Sequence, residues 1–188
     1  MAGPVILNVP NTLSFLRIFS APLFIWLLLN DWMNAALWLF LVAGVTDAVD
    51  GFIAKRFGLQ TELGAYLDPL ADKLLLLSGF ITLSVIDVMP LWMTLLVVTR
   101  DLVIVGGALV YQLATGALRM EPLIISKLNT VAQITLLVAV LAEQAFGAFE
   151  WLFTPLLIFA ALTTAASGLA YTIEWTRRAT SSDPGGAP

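Results

Sequence analysis

The chain has 188 residues, 60% of them apolar and 12% charged, with a net charge of -4. Soluble domains carry about 25% charged residues, so this composition and a mean hydropathy of +0.94 exclude an ordinary water-soluble fold. The nine Lys and Arg form no stripe or run, which argues against a nucleic-acid partner. Cysteine and histidine are both absent, which removes disulfides, thiolate chemistry and nitrogen or sulfur metal ligands, so any metal must sit on oxygen.

Apolar stretches of spanning length, about 20 residues each, are expected at roughly 12–30, 34–55, 63–86, 90–114, 123–145 and 151–175. The predicted fold class is all-α, an integral membrane six-helix bundle, with one domain over 1–180 and a disordered tail over 181–188. The first stretch carries Asn11, Arg17 and Pro22; without a basic start and a cleavage site it reads as a membrane helix rather than a signal peptide. Asn30-Asp31 ends it. The second holds Asp47, Asp50, Gly51 and Ala54 and closes on Lys55 and Arg56, and the third holds Gly64, Asp68, Pro69 and Asp72. Asp87 to Pro90 separates the third from the fourth, where Arg100 lies near the midplane and cannot snorkel easily. Its neighbour Asp101 is expected to point elsewhere, as adjacent helix positions do. Gly106-Gly107 suits close helix packing, expected at the contact of a homodimer. The fifth stretch begins beside Lys127 and Asn129, and the sixth ends at the interfacial anchors Arg177 and Arg178.

Charge sets the orientation. The second and fourth loops and the C-terminus carry Lys55, Arg56, Arg119, Arg177 and Arg178, whereas the first, third and fifth loops hold only acidic charges. The positive-inside rule then puts both termini in the cytoplasm. Trp32, Trp92 and Trp151 fall near the opposite interface and Trp175 near the basic one, as in an aromatic belt.

A carboxylate at the centre of a membrane helix costs about 2.5–3.5 kcal/mol, so Asp47, Asp50, Asp68 and Asp72 need compensation. Asp47, Asp50, Gly51 and Ala54 share one helix face, and Gly64, Asp68 and Asp72 share another. At about 1.5 Å per residue the carboxylates lie roughly 8–15 Å below the basic side and can converge in a cavity lined by small residues. Two divalent cations would relieve their repulsion and hold a phosphate under attack. Structural pairing to Lys55, Arg56, Lys73 and Arg100 is the bland alternative. A divalent-cation transit site is another, opposed by the one-sided placement of the aspartates and the lack of an inverted repeat.

The run from Asp47 to Asp72 resembles the signature of the CDP-alcohol phosphatidyltransferases: Asp, two residues, Asp-Gly, two, Ala-Arg, eight, Gly, three, Asp, three, Asp. It departs only at Lys55, where the pattern has arginine, with Arg56 following. The opening Pro10-Asn11-Thr12-Leu13-Ser14-Phe15-Leu16-Arg17 is similar to the family's first helix. Ile125 to Thr130 and Thr163 to Ser167 look most like its CDP-diacylglycerol-dependent cardiolipin synthases, while phosphatidylglycerophosphate synthases have a related Gly-Lys-x-Lys-Thr at the first of these places.

The resemblance implies transfer of a phosphatidyl group from CDP-diacylglycerol to phosphatidylglycerol, or alternatively to glycerol 3-phosphate, with CMP leaving. It implies two divalent cations, Mg2+ or Mn2+, on Asp47, Asp50, Asp68 and Asp72, with Asp72 also the general base. CDP-diacylglycerol would meet Asn11, Arg17, Gly51, Ala54, Lys55, Arg56 and Gly64, and the acceptor Arg100, Lys127 and Asn129. The setting implied is the cytoplasmic (inner) membrane of a bacterium.

Overall fold

The computed structural model describes the backbone of residues 9–57, 62–115, 123–147 and 149–181, and the side chains of 19–47, 49, 73–107, 110, 123–147 and 149–177. Six helices follow one another: α1 (Val9–Leu29), α2 (Met33–Phe57), α3 (Glu62–Val85), α4 (Leu91–Thr115), α5 (Ile124–Phe146) and α6 (Glu150–Ser181). Among the described residues there is no strand. An apolar solvent offers no partner to backbone N–H and C=O groups, so helices that close their own hydrogen bonds are what these stretches can form. The expected spans and the observed helices agree closely, except that α6 runs well past the predicted end near 175, to Ser181. Residues 182–188 of the expected tail lie outside the described residues.

Three helices end on a residue in the left-handed region. Asp31 (φ 61°) follows α1, Asp87 (φ 59°) follows α3 and Gly147 (φ 64°) follows α5. After α1, Trp32 N–H donates to Leu27 C=O at 2.9 Å and Asp31 N–H to Leu28 C=O at 3.2 Å. After α3, Val88 N–H donates to Leu83 C=O at 2.9 Å and Asp87 N–H to Ser84 C=O at 3.3 Å. These paired bonds satisfy the terminal carbonyls, and aspartate is among the few side chains that tolerate the left-handed position. After α5, Gly147 N–H reaches Glu143 C=O at 2.7 Å. The Glu143 carboxylate also accepts from Phe149 N–H, just ahead of α6.

The chain divides into two compact units. One contains Met1–Met89 with Leu137–Glu150, the other Pro90–Leu136 with Trp151–Pro188. In the first, α1 packs against α2 and α3. Phe24 and Phe40 stack with ring centroids 5.7 Å apart, and Phe24, Phe80 and Leu83 are fully buried. Gly79 lets α3 approach closely: a Cβ there would lie 2.8 Å from Leu137 Cδ2 and 3.1 Å from Phe24 Cε1. A shallow hollow lined by Asp31, Trp32, Asn34 and Gln144 lies at one end of this unit.

The second unit exposes apolar side chains and buries polar ones among apolar neighbours such as Met93, Val97 and Leu136. Leu95, Leu102, Val105, Ile158, Leu162 and Leu169 are exposed, whereas Arg100, Asp101, Asn129, Gln133, Thr163, Thr164 and Ser167 are buried. Such an inversion fits hydrocarbon as the surrounding solvent. Ile124–Phe146 and Glu150–Arg177 are long and apolar enough to cross a membrane, and the described apolar runs Phe19–Leu29, Met33–Asp47 and Lys73–Val85 are shorter. Trp32, Trp92 and Trp151 are exposed, as an interfacial belt requires. Gly107 shows the expected close helix packing, since the Trp175 indole of α6 covers it and leaves no room for a Cβ. Gly106 faces open space.

Replacing Gly79 with alanine should overpack the first unit and cost about 1–3 kcal/mol. Its unfolding midpoint in detergent should fall accordingly, whereas Gly44→Ala, at a position with nothing within 4 Å, should leave the midpoint unchanged or raise it. Equal midpoints for the two variants would contradict the packing at Gly79.

Candidate functional site

Both acidic pairs lie on uninterrupted helix. Asp47 and Asp50 belong to α2 and Asp68 and Asp72 to α3, so each pair shares one face of its own helix. Asp47 is half-buried. The side chains of Asn11, Arg17, Asp50, Gly51, Ala54, Lys55, Arg56, Gly64, Asp68 and Asp72 lie outside the described residues. Among the described residues no three acidic side chains gather at one point. The charged donors on the two faces are carboxylates, and since the chain has neither histidine nor cysteine any side-chain metal ligand there is an oxygen. That chemistry fits a hard divalent cation.

In the second unit the structure assembles a polar cage around Arg100, which is 4% exposed. Its Nε donates to Ser167 Oγ at 3.1 Å and its Nη2 to the same oxygen at 2.7 Å. Nη2 also donates to Ser126 Oγ at 2.5 Å, and Nη1 to Asp101 Oδ1 at 2.7 Å. The guanidinium carbon lies 6.0 Å from the Tyr171 ring centroid, and the side-chain stem runs beside Gly168. The expectation that Asp101 points elsewhere is therefore wrong. Adjacent Cβ atoms do diverge on a helix, but the arginine stem is long enough to swing its head back to a neighbouring carboxylate.

One turn further along α5 the polar contacts continue as a seam between α5 and α6. Asn129 Oδ1 accepts from Thr163 Oγ1 at 3.2 Å and Thr164 Oγ1 at 2.7 Å, and Gln133 Nε2 donates to Thr164 Oγ1 at 3.2 Å. Both amides are fully buried, yet Asn129 Nδ2 and Gln133 Oε1 have no hydrogen-bond partner among the described residues. Tyr171 Oη accepts from Leu123 N–H at 3.4 Å, just before α5 begins. Lys127 is exposed in the first turn of α5.

Of the three residues expected to bind an acceptor, Arg100 and Asn129 are thus buried, each in its own set of hydrogen bonds, and Lys127 is exposed. Residue-by-residue reading missed Ser126, Gln133, Ser167 and Tyr171. A signal was present: Ser126, Asn129 and Gln133 are spaced by three and four, and Thr163, Ser167 and Tyr171 by four and four, so each set forms a polar stripe on an apolar helix.

The cage and the acidic pairs can be set beside known proteins. Residues 7–166 match the family described as CDP-alcohol phosphatidyltransferase. The cardiolipin synthase (CMP-forming) of Homo sapiens is 34% identical over 87% of this chain and 60% of its own length. A chloroplastic CDP-diacylglycerol–glycerol-3-phosphate 3-phosphatidyltransferase of Oryza sativa is 36% identical over 90% of this chain and 57% of its own length. The CDP-diacylglycerol–glycerol-3-phosphate 3-phosphatidyltransferase of Bacillus subtilis is 33% identical over 87% of this chain and 93% of its own length. The chain therefore belongs to the CDP-alcohol phosphatidyltransferases, a family of membrane enzymes, and it spans a little over half the length of the human and rice relatives.

The seam yields a stability contrast. Thr164→Val, nearly isosteric, withdraws a hydrogen-bond partner from both buried amides and should cost about 1–3 kcal/mol. Gln133→Met removes the unpartnered oxygen together with one long bond, and should stay within about 1 kcal/mol of the parent. Unfolding midpoints in detergent would measure both; a larger loss for Gln133→Met than for Thr164→Val would refute the seam.

Proposed function

We propose that this chain is a membrane phosphatidyltransferase that transfers the phosphatidyl group of CDP-diacylglycerol to phosphatidylglycerol, producing cardiolipin and CMP. The observation that carries the reading is the spacing of Asp47, Asp50, Gly51, Ala54, Gly64, Asp68 and Asp72 on two helices of a chain in this family.

Asp47, Asp50, Asp68 and Asp72 would hold two divalent cations, Mg2+ or Mn2+. When bound, these ions supply charge neutralisation for the diphosphate. Asn11 and Arg17 on α1, together with Lys55 and Arg56, would bind CDP-diacylglycerol, and the small residues Gly51, Ala54 and Gly64 would let its diphosphate approach the helix backbones. The acceptor's hydroxyl oxygen attacks the phosphorus bearing the diacylglycerol, the bond from that phosphorus to the CMP oxygen breaks, and the hydroxyl proton passes to the Asp72 carboxylate. Arg100, Lys127 and Asn129 would bind the acceptor. Phosphatidylglycerol enters from the bilayer as a monoanion, and the partnering of Arg100 by Asp101 leaves little uncompensated charge there for a dianion.

Glycerol 3-phosphate is the second reading, favoured by the Bacillus subtilis relative, most of whose length this chain covers. Both termini are assigned to the cytoplasmic side of a bacterial inner membrane on the Lys and Arg asymmetry of the loops.

Chelation of divalent cations should abolish CMP release, as should Asp47→Ala, Asp50→Ala or Asp68→Ala in protein that still inserts. Asp72→Asn should retain nucleotide binding and lose turnover. Full activity in excess chelator would remove the metal site. Phosphatidylglycerol should give cardiolipin while glycerol 3-phosphate gives little product; the reverse preference would replace the acceptor and keep the reaction class. Cysteines at Asn34 and Gln144, both exposed around one hollow, should react with impermeant reagents from outside intact cells. Labelling only after permeabilisation would reverse the topology.

A further inference from the structure

A guanidinium has five N–H groups. In Arg100 the Nε hydrogen goes to Ser167, both Nη2 hydrogens go to Ser126 and Ser167, and one Nη1 hydrogen goes to Asp101. Four of the five are thereby engaged within the protein, leaving one N–H on Nη1 without a partner among the described residues. The stem is held beside Gly168, and Tyr171 stands 6.0 Å from the guanidinium carbon. Three helices contribute to this arrangement: Asp101 from α4, Ser126 from α5, and Ser167, Gly168 and Tyr171 from α6. An arginine kept only for charge could hold any rotamer. This one is fixed in position and in the plane of its fork.

We propose that Ser126, Ser167 and Asp101 are positioning residues, which lock Arg100 so that the remaining Nη1 hydrogen is presented to a single oxygen of the acceptor's phosphate. The proposal rests on the reading that Arg100 meets the acceptor. An unlocked arginine would take a phosphate through two parallel N–H groups. The locked one cannot, since the second hydrogen of that nitrogen is held by Asp101 and the neighbouring edge by the two serines. The phosphate is then gripped at one oxygen by direction rather than by surplus charge. Loss of either serine hydroxyl should loosen that direction and weaken acceptor binding without touching the nucleotide.

The test is steady-state kinetics on purified full-length enzyme, with CDP-diacylglycerol and the acceptor that the parent turns over each varied in turn. Ser126→Ala and Ser167→Ala should each raise the acceptor KM about tenfold, leave the KM for CDP-diacylglycerol unchanged and lower kcat less than threefold. Ser126→Thr, which keeps the hydroxyl, should restore the acceptor KM. Arg100→Lys, which keeps the charge and loses the fork, should raise the acceptor KM at least as much as either serine variant. An acceptor KM unchanged in both serine variants but raised in Arg100→Lys would overturn the positioning role and spare the reading of Arg100. An acceptor KM unchanged in Arg100→Lys and in Arg100→Ala would overturn that reading and the proposal together. Losses spread equally over both KM values and kcat, with a lowered unfolding midpoint and no rescue by threonine, would reduce the serines to a structural role and equally overturn the proposal.

Discussion

A polar side chain inside a bilayer has no water to turn to, so it must find its partner in the protein. That constraint organises the second unit. Arg100 is buried and answered by a carboxylate and two hydroxyls, and the helices supplying them are held to the rotations that make the answer possible. The apolar surfaces of the same helices are left outward, where hydrocarbon is as good a neighbour as leucine would be. Individual interhelical hydrogen bonds in membranes are worth only about 0.6 kcal/mol on average. Their value here lies less in strength than in register, since an arginine at this depth with a partner removed would be far more costly than the bond itself.

Charge is distributed differently along the helices of the two units. Asp101 meets Arg100 directly at 2.7 Å, so opposite charges face each other inside the second unit. The aspartates of α2 and α3 are of one sign and outnumber the basic residues on those helices that lie deeper than Lys55 and Arg56. Opposite charges in contact lower each other's cost of burial, whereas like charges close together raise it.

The helices were largely legible because apolar runs of spanning length and the breakers between them are strong signals. Asn30-Asp31 and Asp87 mark two of the observed ends, where aspartate takes the left-handed position. The far end of α6 was not legible from hydropathy, because Glu174, Arg177 and Arg178 lower the apolar signal while the backbone continues as helix to Ser181. The acidic positions stood out, since a carboxylate inside a span is conspicuous. The Arg100 cage did not. Serine and threonine are cheap in apolar helices and draw no attention singly, and the Arg100–Asp101 contact depends on stem length, which positional geometry ignores. Which stripe of α5 meets which stripe of α6 is a property of packing, and no single helix contains it.

The seam also decides where such a chain can change its length. One residue inserted between Ser126 and Gln133 would rotate everything beyond it by about 100° and carry Gln133 off the face that meets Thr164. An insertion between Thr163 and Ser167 would part Asn129's partners from those of Arg100 in the same way. Substitutions at these sites alter one bond, but insertions and deletions alter the phase of a whole helix. Over evolutionary time, gaps should therefore gather in the connections, while α5 and α6 drift in side-chain identity at constant residue count.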